Sequence, residues 1–168
     1  MVGNCDIIRC SEVNGLSETE LKMATRSTIA VELEDGTIQM VYCHWDGYLE
    51  HNGKLLNEVY TDFAAIRHLI SYGDISSLGE RIVPETGDEH TFENPEQGCC
   101  VFYGRDRGEQ NVEPRMFDDF FEYKQEANFE EYNYLWRDGE WLVEGTKGRY
   151  EFVPLSLELA NLTETEEN

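Results

Sequence analysis

Positive charge is what this sequence has least of. Thirteen lysines and arginines stand against 35 aspartates and glutamates, a formal net charge of −22 over 168 residues. A surface so anionic repels nucleic acid and anionic membranes, so neither is expected as a direct partner. It favours basic proteins, including the basic clefts of proteins that handle nucleic acid. The blander reading stands beside it, because charge in this excess also serves solubility alone. Cysteines are few and odd in number: Cys5, Cys10, Cys43, Cys99 and Cys100, with no CxxC spacing. That excludes a disulfide framework and a zinc site of the usual kind, and it points to a reducing compartment. No stretch approaches the ~18 consecutive apolar residues of a membrane span. The first residues lack the basic-then-apolar build of a signal peptide, so a cytoplasmic location is expected. Also missing are a glycine-rich phosphate loop, a dinucleotide-binding fingerprint, an HExxH pair and a GxSxG elbow. Neither a cofactor nor a metal is expected.

What is present is the composition of a folded domain, 40% apolar and 12% aromatic, enough for one domain with a sizeable core. The chain is organised around residues 28–48, TIAVELEDGTIQMVYCHWDGY. Asp35-Gly36, flanked by alternating apolar residues, signals a β-hairpin, since a type I′ turn needs positive φ at both central positions. A two-residue loop sets Leu33 opposite Ile38, Val31 opposite Met40, Ile29 opposite Tyr42 and Ser27 opposite His44. It puts Ile29, Val31, Leu33, Ile38, Met40 and Tyr42 on one apolar face. A second Asp-Gly pair, Asp138-Gly139 within EEYNYLWRDGEWLVEG, predicts the pairs Trp136–Trp141 and Tyr134–Val143 on one face and Leu135–Leu142 on the other.

Between the hairpins, apolar residues at helical spacing predict a helix over 53–72, with Asn52 as N-cap and Gly73 as stop. Thr61-Asp62 offers a fresh N-cap that would divide it. A second helix is predicted over 114–125. Short strands are expected at 81–83, at 99–104 and around Tyr150 and Phe152, with a long polar loop at 84–98 that is either mobile or functional. One helical turn is expected at Ser156. The expected class is α+β: a single domain over 23–162, its mainly antiparallel sheet built from the two Asp-Gly hairpins plus short strands, with two helices packed on it. Residues 1–22 precede Met23-Ala24-Thr25-Arg26, which itself looks like a start of translation, and are expected to be an extension. Residues 163–168 are expected to form a loose acidic tail.

Two groups of residues could carry function. Tyr42, His44, Asp46 and Tyr48 gather at the end of the first hairpin, with Glu50 and His51 close behind. His44 and Asp46 point the same way along a strand, a geometry that suits a ligand but also serves a turn: Asp46 caps it, Gly47 takes positive φ and His44 bonds a carbonyl. Arg105 and Arg107 form a basic island able to fork onto phosphate. Together with the first four they make a candidate pocket for binding or cleaving a small anionic molecule such as a nucleotide; internal pairing with the surplus carboxylates is the alternative. Ser27 with His44 and Asp46 is a weak nucleophile triad, because Asp46 lies along the strand rather than behind the ring. The second group is acidic. Asp118, Glu122 and Glu126 stand at i, i+4 and i+8, about 6 Å apart along a helix, with Asp119, Glu130 and Glu131 nearby. Such a row imitates the phosphates of a nucleic-acid strand, or it is simply the wet face of a helix.

At Ala24-Thr25-Arg26-Ser27-Thr28-Ile29-Ala30, Tyr42-Cys43-His44-Trp45-Asp46-Gly47-Tyr48, Gly73-Asp74-Ile75-Ser76-Ser77-Leu78-Gly79 and Tyr103-Gly104-Arg105-Asp106-Arg107-Gly108-Glu109 the chain resembles a group of small acidic proteins of tailed bacteriophages. The resemblance spans roughly residues 23–145, with Leu49 standing where that group has proline. It implies a viral accessory protein made in the host bacterial cytoplasm and supplies no catalytic residue. Joined to the charge, it leads to the expectation of a non-enzymatic inhibitor of a basic host protein, either a defence protein or one that handles nucleic acid, acting through an acidic and DNA-mimicking surface at Asp118, Asp119, Glu122, Glu126, Glu130 and Glu131.

Overall fold

The strands are β1 (Ser27–Glu32), β2 (Ile38–Cys43), β3 (Ile75–Ser77), β4 (Val101–Phe102), β5 (Arg115–Phe117), β6 (Tyr132–Arg137), β7 (Glu140–Gly145) and β8 (Val153–Pro154). The computed structural model describes residues 25–145 and 151–166 and sets these strands in one sheet of order β4-β3-β2-β1-β6-β7-β8, with β5 pairing on β2 beside that path. Pairs β1–β6 and β2–β3 run parallel and the other five run antiparallel. The class is therefore mixed α and β on a mainly antiparallel sheet.

The first turn differs from expectation by one residue. Leu33 N donates to Thr37 O at 2.8 Å and Gly36 N to Leu33 O at 2.9 Å, so Glu34, Asp35 and Gly36 form the loop. Among those three only Gly36 has positive φ, 87°. This is a three-residue loop with glycine in the left-handed position, not a type I′ turn. Asp35 fixes it by accepting from the Thr37 amide at 3.0 Å and hydroxyl at 2.6 Å. The register moves accordingly: Ile29 faces Val41, Glu32 faces Ile38, and Ser27 faces Cys43 rather than His44. A one-residue slip sends side chains to the opposite face. Ile29, Val31, Val41 and Cys43 join one core, while Ala30, Ile38 and Met40 join another on the far side, so the single apolar face does not exist. In the second hairpin Asp138 and Gly139 both take positive φ, 52° and 80°, and Trp136 pairs with Trp141.

Helices cover both faces. The run 53–72 is not one helix: a π-helical turn (Leu49–Gly53) leads into α1 (Lys54–Glu58), and α2 (Phe63–Ser71) starts afresh where the Asp62 carboxylate accepts the Ala65 N–H at 2.9 Å. Leu56, Tyr60, Ile66, Leu69 and Ile70 from this stretch are buried against Ile29, Val41 and Tyr134. Further along come α3 (Tyr103–Arg107), α4 (Phe120–Glu126) and α5 (Leu155–Glu166). The helix expected over 114–125 is shorter than that, because residues 115–117 pair with β2 as β5. Tyr123 of α4 is buried in the second core with Phe117 and Leu135.

Smaller departures have the same origin in long-range pairing. Arg81 makes only an isolated bridge to Cys99, and the strand in that region is β3, ahead of the expected 81–83. Of 99–104 only two residues are strand before α3 begins. The last strand is at 153–154, and the helical turn at Ser156 is a twelve-residue helix that takes in residues 163–166, which are thus not a loose tail. Residues 1–22 and Tyr150 lie outside the described residues.

A seam in the sheet sets the geometry around Tyr42. Along its outer edge β2 pairs first with β5, up to Met40–Arg115, and then with β3, at Cys43–Ile75. Tyr42 N falls in the gap and donates to Asp74 Oδ1 at 2.9 Å, while both Nη atoms of Arg115 hold the same carboxylate at 3.1–3.2 Å. A backbone donor between two strand partners needs an acceptor, and Asp74 supplies it.

Candidate functional site

Beyond Cys43 the chain leaves the sheet in a turn tied on every side. His44 N and Trp45 N donate to the carbonyls of Ile75 and Ser76 at 3.0 Å, and Gly47 N donates to Thr25 O at 2.8 Å. The buried Tyr134 hydroxyl donates to Gly47 O at 2.8 Å, and the buried Asn52 amide donates to Trp45 O at 3.2 Å. Asp46, not Gly47, takes the left-handed conformation, φ 57°. Glycine is required at 47 for space: a Cβ there would lie 2.8 Å from Ser27 Cβ and 2.9 Å from the Arg26 carbonyl.

Within this turn the Tyr42 hydroxyl is 2.7 Å from His44 Nδ1, and the imidazole meets Trp45 edge-on at 4.5 Å. Burial pushes the His44 pKa down, helped by Arg26 and opposed by Glu130. The ring and the Tyr42 hydroxyl share one hydrogen bond, and burial raises the Tyr42 phenol. Burial also raises the Asp46 carboxyl, with His51 opposing, and it raises the Tyr48 phenol beside Asp46 and Glu50.

Arg105 does not turn toward this group. Its Nε donates to Asp106 at 2.8 Å and an Nη to the Cys100 carbonyl at 2.9 Å, while the guanidinium stacks 4.7 Å over Phe102 and 5.3 Å over Tyr72. Burial alone would raise Asp106, but Arg105 and the Phe102 amide outweigh it and hold the carboxyl low. Buried His90 completes the knot, 3.3 Å from Asp106. Arg107 is half exposed, 3.4 Å from Glu109 and 5.0 Å over Phe92. Both arginines are thus paired internally rather than aimed at a shared pocket. Tyr42, His44, Asp46 and Tyr48 are neighbours; Arg105 is engaged elsewhere.

The acidic residues do not stand in one file along a helix. Since α4 starts at Phe120, Asp118 lies before the helix and the i, i+4, i+8 row is broken. Asp119 caps α4 by accepting the Glu122 N–H at 2.8 Å, and Glu122 reaches back to the Asp118 N–H. Glu126 is exposed near the helix end. Glu131 accepts the Arg26 N–H at 3.4 Å, while the Glu130 backbone brackets Asn133 at 2.9 and 3.0 Å. Glu130 bears electrostatically on both Tyr42 and His44, so the two groups adjoin there.

A cleft of about 510 Å³ opens between α1 with its π-helical turn and the segments 77–80 and 95–99. Asp46 is on its wall; His44, Arg105 and Arg107 are not. Its far side is the polar loop, which Glu96 pins by accepting from Arg81 and from the amide and hydroxyl of Thr86 at 3.0 and 2.7 Å. The Thr86 hydrogen bonds, with Arg81, pull the Glu96 carboxyl down to about 2. Sequence reading marks the length of this loop without finding the cleft, because the walls come from five separate segments. Among the described residues no three or more histidine, cysteine or carboxylate side chains gather as a metal site, and no helix is long and apolar enough to cross a membrane. No family model, curated protein or solved structure matches the chain.

Proposed function

We propose that this is a phage-encoded accessory protein that binds and inhibits a basic host protein, one of defence or of nucleic-acid handling, through its acidic surface in the host cytoplasm. What supports the reading is where the few cations go. Arg81, Arg105, Arg115 and Arg137 are each held by an internal carboxylate, Glu96, Asp106, Asp74 and Glu32. Arg137 also stacks 4.2 Å over Phe120, and Lys124 lies 5.4 Å over Phe152. These basic residues brace the fold, and most acidic side chains among the described residues face water. Asp118, Asp119, Glu122, Glu126, Glu130 and Glu131 make the contact patch, covering the start of α4 and the entry to β6 as an irregular group of charges. Resemblance to phage proteins supplies the setting. The alternative, a nucleotide pocket at Tyr42, His44, Asp46, Tyr48, Arg105 and Arg107, draws no support from an Arg105 already engaged on every side.

Such a partner is recruited by long-range attraction, so binding weakens steeply with salt because exposed charges are screened over ~8 Å at physiological ionic strength. The test is capture of host proteins on the immobilised chain across a salt series from ~50 to ~500 mM, with duplex DNA as competitor. A basic protein released by salt and displaced by DNA is expected. A partner held equally at both salt extremes and indifferent to DNA would sink the reading.

A further inference from the structure

The cleft beside α1 combines an apolar interior with an acidic rim. Leu55, Leu78, Pro95 and Val101 lie on its walls, Leu78 and Val101 only 5% exposed. Around them stand the carboxylates of Asp46, Glu50, Glu58 and Glu80, against a single lysine, Lys54, among the lining residues. Glu96 also lines the cleft but is already held by Arg81 and Thr86. Asp46 is half buried, and burial raises its carboxyl against the opposing influence of His51. A volume of about 510 Å³ falls within the ~300–1,000 Å³ of pockets that enclose a small ligand. It is ample for one long side chain with its flanking backbone.

We propose that this cleft receives an arginine side chain from an exposed segment of the basic partner. The inference rests on the reading of the protein as an acidic binder and deepens it by naming a second point of contact, apart from the α4 patch. Arginine suits the cleft better than lysine does. Its methylenes and the faces of its weakly hydrated guanidinium lie against apolar walls, while its planar fork of donors meets two carboxylates at once. Lysine brings a compact, strongly hydrated charge that gains less from those walls. The rim carboxylates are drawn from the turn at 46, the π-helical turn, α1 and the segment after β3, so the site exists only in the folded chain.

The test is calorimetric titration of the full chain with a blocked tetra-arginine peptide and a blocked tetra-lysine peptide. Two double variants are compared: Glu58→Gln with Glu80→Gln on the rim, and Glu34→Gln with Glu166→Gln, which removes equal charge outside both the cleft and the α4 patch. All four side chains are exposed, and an unchanged thermal midpoint checks each fold. The expected result is tighter binding of the arginine peptide, weakened about ten-fold or more by the rim variant and less than about two-fold by the other. Amide resonances of Leu78 and Val101 in the unaltered protein should shift with the arginine peptide and not with added salt. Equal weakening by both variants, unmoved Leu78 and Val101 resonances, or no heat with the peptide overturns the cleft. That outcome leaves the acidic-surface reading to its own salt series, which fails only if host-partner binding is indifferent to salt.

Discussion

Gly47 sits where no side chain fits, clamped between Ser27, the Arg26 carbonyl and the Tyr134 hydroxyl. An added methyl would run into the Arg26 backbone and Ser27 Cβ, so Gly47→Ala should cost ~1–3 kcal/mol in denaturant unfolding, the range for overpacking a tight site. Gly36 is the contrast: a Cβ there meets nothing within 4 Å, and its left-handed φ is one that asparagine tolerates. Gly36→Asn should therefore cost less than ~1 kcal/mol. If the two substitutions cost the same, crowding is not what reserves position 47 for glycine. At this scale the sequence is legible by residue type and not by role. His-Trp-Asp-Gly is a tied turn, yet its ties are not the ones the residue types suggest: the His44 ring meets the Tyr42 hydroxyl rather than a carbonyl, the left-handed residue is Asp46, and the reason for glycine lies on strand β1, twenty residues away in the chain.

Elements are legible where one local device decides them. The break between α1 and α2 comes from Asp62, whose carboxylate satisfies the Ala65 N–H. Asp62→Ala should destabilise by ~0.5–2 kcal/mol, as loss of an N-cap does, and Asp62→Asn should restore most of it. An alanine variant as stable as the parent would show that burial of Ile66, Leu69 and Ile70 alone defines the start of α2. Elements decided at long range are not legible. The Asp35-Gly36 pair does not say whether two or three residues make the loop; Asp35 bonding Thr37 and cores on both faces settle it, and the second of these is tertiary. Arg115-Met116-Phe117 is too short to announce itself as a strand and is one only because β2 offers an edge. The cleft, with walls from five segments, has no local signature at all.

For the whole molecule the surplus of acid makes pH the natural probe. Burial raises the carboxyls of Asp46, Asp74 and Glu144, so the folded state takes up their protons more readily than the unfolded chain, and their contribution to stability grows as pH falls. Self-repulsion of a chain at −22 eases over the same range. Glu96 works the other way: held at about 2 against an ordinary 4.5, it contributes stability that is complete above 4.5 and is lost as pH falls towards 2. The thermal midpoint should therefore rise from pH 7 to about pH 5 and fall below about pH 3. Glu96→Gln should blunt the acid fall and leave the rise unchanged. A midpoint that declines steadily from pH 7 would contradict this ordering.

The parallel pairing of β1 with β6 joins residues such as Thr28 and Asn133 that lie 105 positions apart. The middle of the sheet therefore cannot close while the chain is still emerging from a ribosome. Until β6 is translated, β1 presents an open edge, and the apolar residues on both sides of it wait for Tyr134 and Leu135. Closing so long a loop is slow, and an unpaired central edge is the part of a nascent chain most prone to stick to its neighbours. A truncation ending before residue 132 should be recovered in aggregates, whereas the chain through α5 is recovered in solution. In a cell making many copies at once, the crowd of like charges on each nascent chain would be its own protection, holding unfinished copies apart until their last fifth arrives.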